Sequence, residues 1–234
     1  MSDTSSFDIG SVIDDAKKVI VDPFGFYQDL KLEGGLTNPI LFVVCMGLVM
    51  GAMAFVGGIV GLGLTGGIGA GLAALIFMPI MMVIGSFIFG AIMFVLWKLM
   101  GSDKNFEAAY RCVAYASAIA PVAALLSVIP YIGTLIRVLW TGLLLYAASI
   151  NSMGIKDQTA KIAIGILTAI FALVGLNGER HARNIESKFG KYAESIDADE
   201  LGKRMEDMSA EEAGEMMGEF LKGLEKAAKD AQQE

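Results

Sequence analysis

The chain has 234 residues, of which 55% are apolar and only 18% charged, with a net charge of −7 and a mean hydropathy of +0.59. A soluble domain carries about a quarter charged residues, and an acidic chain does not offer the basic surface that nucleic acid requires. The single histidine, His181, excludes a His-rich metal site, and the two cysteines, Cys45 and Cys112, both fall in apolar runs, where they read as small packing residues.

Residues 1–38 form a polar N-terminal arm. Ile9, Val12, Ile13, Ala16, Val19 and Ile20 recur at helical spacing, with Asp14, Asp15, Lys17 and Lys18 on the other side. This predicts an amphipathic helix at the membrane interface, or equally one packed on the protein's own spans. Pro23 ends it, and Phe24, Phe26 and Tyr27 of "DPFGFY" suit the headgroup boundary. The arm lacks the basic start and short apolar core of a secretory signal.

From Asn38 through Trp97 there is no Asp, Glu, Lys, Arg or His. A bilayer crossing takes roughly 20 apolar residues, so this run holds two spans, 39–60 and 72–97. Three more follow at 108–129, 132–150 and 161–176. The last is short: its unbroken apolar part, 162–176, rises only about 22 Å, so four spans plus a surface helix is the alternative count. The sequence therefore predicts an all-α integral membrane protein, a bundle of five spans over residues 39–177. A C-terminal amphipathic helical appendage follows over 178–234, with one apolar stripe at Ile185, Phe189, Tyr192 and Ile196. Ser209 and Glu212 open a second helix as a capping box. Lysines and arginines near the span ends (Lys17, Lys18, Lys31, Lys98, Lys104, Arg111, Lys156, Lys161) fall on one side, against only Arg137 on the other, which places the N-terminus in the cytoplasm. Arg180, Arg183, Lys188 and Lys191 follow the fifth span on what should be the outer side, against that pattern.

The stretch "GLGLTGGIGAG" contains Gly61, Gly63 and Gly66 in dinucleotide-loop spacing, but a span-length run precedes it and no acid follows within reach, so the nucleotide reading fails. The glycines instead extend a small-residue face made of Gly47, Gly51, Ala54, Gly58 and Gly61, which lets helices approach closely within one bundle or between two copies. Met46, Met50 and Met53, with Met78, Met81 and Met82 in the next span, read as flexible packing rather than as a Cu(I) path. Glu107 and Arg111 stand four apart at the entrance of the third span, and Tyr110 between them suits the interface. The helix carries eight alanines between Ala108 and Ala124, and Pro121 should kink it. Arg137 lies within the fourth span, where an ionisable group is a functional candidate or a snorkelling side chain. No catalytic constellation, cofactor motif or metal-ligand set is evident.

The order of these features resembles the Yip1-domain family of polytopic membrane proteins. The resemblance rests on "DPFGFYQDLKLEGGLTNPILFVV", on "NFEAAYRCVAYASAIAPVAALLSVIPYIGTLIRVLWTGLLLYAASI" with Tyr110, Arg111, Pro121 and the turn from Pro130 to Gly133, and on "DQTAKIAIGI". It covers about residues 20–177 and implies five spans with a cytoplasmic N-terminus. Eukaryotic relatives associate with small Rab-type GTPases and with one another, and generally carry a longer cytosolic N-terminal region, so a GTPase partner does not transfer to this short arm. The arm and the acidic tail look more like prokaryotic members, which implies the cytoplasmic membrane of a prokaryote. The family offers no catalytic residue. The expected function is a non-enzymatic scaffold or membrane-organising role in the lipid bilayer, through homo-oligomers or a membrane-protein partner. The alternatives are a small transporter or channel near Arg137 and Pro121, and a lipid-handling or remodelling protein acting through the N-terminal helix.

Overall fold

The structure, a computed structural model, describes residues 9–59, 68–126, 129 and 131–194. Every regular element among them is a helix. In chain order these are α1 (Ile9–Val21), α2 (Pro23–Asp29), α3 (Thr37–Ile59), α4 (Ile68–Leu99), α5 (Phe106–Ala116), α6 (Ile119–Leu126), α7 (Ile132–Asn151) and α8 (Asp157–Glu194). Five stretches are long and apolar enough to cross a membrane: Thr37–Gly57, Gly71–Leu99, Phe106–Leu126, Ile132–Asn151 and Asp157–His181. Helices meet the bilayer's demand because each satisfies its own backbone hydrogen bonds. The chain divides into two compact units, residues 1–175 and 176–234. The tail helix expected after Ser209, Gly61 of the small-residue face and Pro130 of the turn lie outside the described residues, as do the side chains of the Ile185–Tyr192 stripe.

The fifth stretch is longer than the apolar run alone suggests. It begins at Asp157 and holds 25 residues, a rise of about 37 Å. Its polar start is neutralised locally: Lys161 Nζ lies 2.7 Å from Asp157 Oδ2 one turn away.

The third span is broken, as its proline predicts. The break falls at Ser117–Ala118, between α5 and α6. Pro121 has no N–H for the Ser117 carbonyl, and its ring collides with that carbonyl in a regular helix. The chain tightens instead. Ser117 N–H donates to the Ala114 carbonyl, Ala118 N–H to Tyr115 and Ala120 N–H to Ser117, all three residues back. The Ser117 hydroxyl also donates to the Ala114 carbonyl at 2.6 Å.

The small-residue face of α3 meets α4. A Cβ on Gly47 would stand 2.5 Å from the Cα of Pro79, and one on Gly51 would stand 2.8 Å from the Cα of Leu75. On the facing helix, a Cβ on Gly71 would stand 2.8 Å from the Cα of Phe55 and 3.4 Å from the carbonyl oxygen of Ala54. These are backbone approaches that a methyl group cannot share. Gly85 of α4, by contrast, faces open space. Gly47→Ala should therefore cost about 1–3 kcal/mol by overpacking. Gly85→Ala should be neutral or gain up to about 1 kcal/mol from helix propensity. Thermal unfolding of the two variants in one detergent checks the contrast; equal effects would contradict it.

The arm is folded onto the bundle. Val12 and Val19 of α1 are buried, as are Phe26 and Tyr27 of α2, in one core with Phe42, Met93, Trp97, Cys112 and Leu144. Of the two placements open to this helix, its Val12–Val19 side takes the one against the protein's own spans, and Ile13 and Val21 stay exposed. Phe26 and Tyr27 are core residues rather than headgroup anchors, because Phe26 packs edge-on to Tyr115 and Tyr27 reaches backbone acceptors inside. Phe24 alone of the three stays partly exposed, against Tyr146.

Docking α1 half-buries Asp15. Burial raises its carboxyl above the ordinary 3.8, opposed by Lys18 and reinforced by Asp14. A raised folded value means that the favourable contribution is complete below the ordinary value and is lost as pH rises through the folded one. Hydrogen exchange of residues 9–21 should therefore show α1 held more tightly at pH 4 than at pH 7, and Asp15→Asn should flatten that difference. A pH dependence unchanged by the substitution would refute the assignment.

Candidate functional site

The site gathers at the end of the bundle where the arm docks. Gly34 and Gly35, between α2 and α3, both have positive φ, +121° and +85°, a conformation that glycine adopts without a Cβ penalty. The turn they make brings the Gly35 peptide to the first two turns of α5. There, Glu107 and Arg111 take both of its polar groups. Gly35 N–H donates to Glu107 Oε1 at 2.5 Å, and Arg111 Nη1 donates to the Gly35 carbonyl at 2.7 Å. Arg111 Nε donates to the Lys31 carbonyl at 2.6 Å. The two side chains also face each other, Nη1 to Oε1 at 3.9 Å. Arg111 is buried, only 5% exposed, so its charge is balanced inside the protein by one carboxylate and two carbonyl dipoles.

Asn105 starts α5, its side chain accepting from the Ala108 N–H at 2.9 Å, as an N-cap does. This fixes the helix phase that points Glu107 and Arg111 at the turn. A recess of about 610 Å³ lies beside it, lined by Lys31, Leu32, Glu33, Asp103, Lys104, Asn105 and Ala108.

Beneath the clasp lies a buried polar network that the sequence did not single out. The Tyr27 hydroxyl donates to the Cys112 carbonyl at 3.0 Å, and the Ser152 hydroxyl donates to the Tyr27 carbonyl at 2.6 Å. Trp97 Nε1 donates to Ser149 Oγ at 2.8 Å, and Ser102 Oγ donates to the Met153 carbonyl at 2.7 Å. Burial, with Cys112 adding to it, holds the Tyr27 phenol well above its usual range. The first two bonds tie the arm to α5 and to the end of α7, and the other two tie the end of α4 and the residues after it to the end of α7. The signals for them are thin: a Trp and several serines at span ends, which local spacing cannot pair.

The other expected residues fall elsewhere. Tyr110 is buried between α4 and α5 rather than at an interface: its hydroxyl is 3.1 Å from Ser86 Oγ and its ring stacks on Phe87 at 4.3 Å. Gly133 is buried in the first turn of α7, after Tyr131, whose φ is +61°. Pro121 sits in α6. Arg137 is exposed on α7 and opens on a cavity lined by α4, α7 and α8, in which Pro121 has no part. Gly58 lies within α3. The described residues hold no group of three or more His, Cys, Asp or Glu side chains set to hold a metal ion.

Five apolar helices with a folded arm closing one end define a multi-pass α-helical integral membrane protein. The family model described as the Yip1 domain matches residues 17–176, and the chain belongs to that family. The matched range begins inside α1 and ends within α8, so α2, the Gly34–Gly35 turn and the clasp fall within the domain, while residues 9–16 of α1 precede it. Comparison with curated proteins and with solved structures returned no match for the chain.

Proposed function

We propose that the protein is a non-enzymatic membrane scaffold that acts by self-association or by holding a membrane-protein partner. The observation that carries this reading is how little of two spans is buried. Only 6% of the most apolar stretch of α4 and 11% of that of α8 are buried within the chain, so most of their surface is left for lipid or for another helix. Gly85 and Gly165 stand on open faces, and small residues allow a second helix to approach closely where dispersion and weak polar contacts drive association. The opposite design holds at the arm end, where clasp and network fix one rigid polar face. With the basic residues of Lys17, Lys18, Lys31, Lys98 and Lys104 on that side, the face is cytoplasmic by the positive-inside rule, in what the family resemblance reads as a prokaryotic inner membrane.

A transport pathway is the weaker reading, since the cavity on which Arg137 opens does not include Pro121. Remodelling through α1 is weaker too, since its Val12–Val19 side is occupied. Cysteine cross-linking in native membranes from positions on the open face of α4, such as Gly85 and Ile88, tests the proposal. Discrete dimer or partner adducts are expected, and a strictly monomeric protein with no adduct would refute it.

A further inference from the structure

α7 and α8 touch closely at Gly142, and again at Gly175, where a Cβ would stand 3.1 Å from Thr134 Cγ2. Gly142 is buried, and the Thr168 side chain occupies the space that a Cβ on it would need. On either flank of the Gly142 crossing the helices leave a hollow. One, of about 280 Å³, is lined by Arg137, Leu145, Leu167 and Phe171, with Phe89 of α4 as its far wall. The other, of about 490 Å³, includes Leu139, Leu143, Tyr146 and Lys161. Each hollow has one cation, and the two cations differ. Lys161 is neutralised by Asp157 at 2.7 Å, and the same carboxylate accepts from the Tyr146 hydroxyl. Arg137 has no carboxylate within ion-pair distance among the described residues.

Arg137 stands five residues into α7, a rise of about 7.5 Å from the helix start. A guanidinium at such a depth is costly unless an anion or water meets it, and the walls of its hollow are almost wholly apolar. What the surroundings supply is lipid: an apolar chain for the hollow and, from an anionic headgroup, the missing negative charge. A phosphodiester also fits the guanidinium fork, and an anionic lipid brings no cation of its own to compete, as a choline lipid does.

We propose that the α7–α8 cleft binds one anionic phospholipid, its phosphate on Arg137 and an acyl chain in the hollow that runs toward Gly142. The occupant is a structural lipid of the leaflet at the α7 start, and a second copy of the chain is excluded if lipid alone fills the site.

The full chain, delipidated in mild detergent and given phosphatidylglycerol or phosphatidylcholine in turn, tests this by native mass spectrometry. The wild type should retain phosphatidylglycerol preferentially. Arg137→Gln should weaken that retention about fivefold, the scale of one basic residue's attraction to anionic lipid. Lys161→Gln should leave it unchanged. Arg137→Lys, which keeps the cation, should preserve the preference, and Leu167→Trp, which fills the hollow without touching the charge, should abolish retention. Equal retention of the two lipids by the wild type, or an undiminished phosphatidylglycerol preference in Arg137→Gln, would overturn the proposal. A dimer that forms in place of lipid adducts would overturn it as well.

Discussion

Arg111→Met is expected to destabilise the protein by about 2–4 kcal/mol, the scale of losing charge-assisted hydrogen bonds and leaving their buried partners unpaired. The substitution removes the donors to the Lys31 and Gly35 carbonyls and leaves Glu107 without its facing cation. Arg111→Lys should recover little, because a single ammonium cannot reach both carbonyls in the fork geometry that Nε and Nη1 use. The effect should be local first: hydrogen exchange should rise over residues 31–35 while the spans remain inserted. Unfolding in detergent measures the magnitude. An Arg111→Met protein as stable as wild type, with protection over 31–35 intact, would mean that the clasp does not hold the turn.

Tyr27→Ala is the second large effect, expected at about 3–5 kcal/mol, as for removing a fully buried aromatic ring. Tyr27 is 1% exposed and packs edge-on to Phe26 at 5.4 Å. Tyr27→Phe should cost about 1 kcal/mol, since it loses only the hydroxyl bond to the Cys112 carbonyl; the Ser152 bond is made to the Tyr27 backbone and survives both changes. Limited proteolysis separates the two variants. The alanine protein should be cut readily at Lys17, Lys18 and Lys31 as the arm comes away, and the phenylalanine protein should resist. Equal resistance in both would show that the arm is held by something other than this ring.

The spans were legible because sixty residues without a charge admit few other readings, and because a membrane helix is specified by composition over a fixed length. The break near Pro121 was legible for an equally local reason. Spacing also exposed the Glu107–Arg111 pair and the Gly47–Gly51 face. In each case it gave one side of a contact and not its partner. The Gly35 peptide is 72 residues from Glu107, and Pro79, which lies against Gly47, breaks no apolar pattern that would mark it. The aromatic run at Phe24–Tyr27 suits a headgroup layer and a core equally well; the partners that decide, Cys112 and Ser152, are 85 and 125 residues away. Tyr110 was misplaced for the same reason: a tyrosine near a span end reads as an anchor until Phe87 and Ser86 are seen to enclose it. The fifth span read short because hydropathy counts Asp157 and Lys161 as charges, whereas their pairing makes them one nearly neutral turn.

The five-span reading requires α8 to cross the bilayer. Reporter fusions at residue 1 and after residue 234, in cells expressing the full chain, test that requirement most directly. Five crossings predict a cytoplasmic signal from the N-terminal reporter and an external one from the C-terminal reporter. Two cytoplasmic signals would mean that α8 does not cross, and would contradict the account.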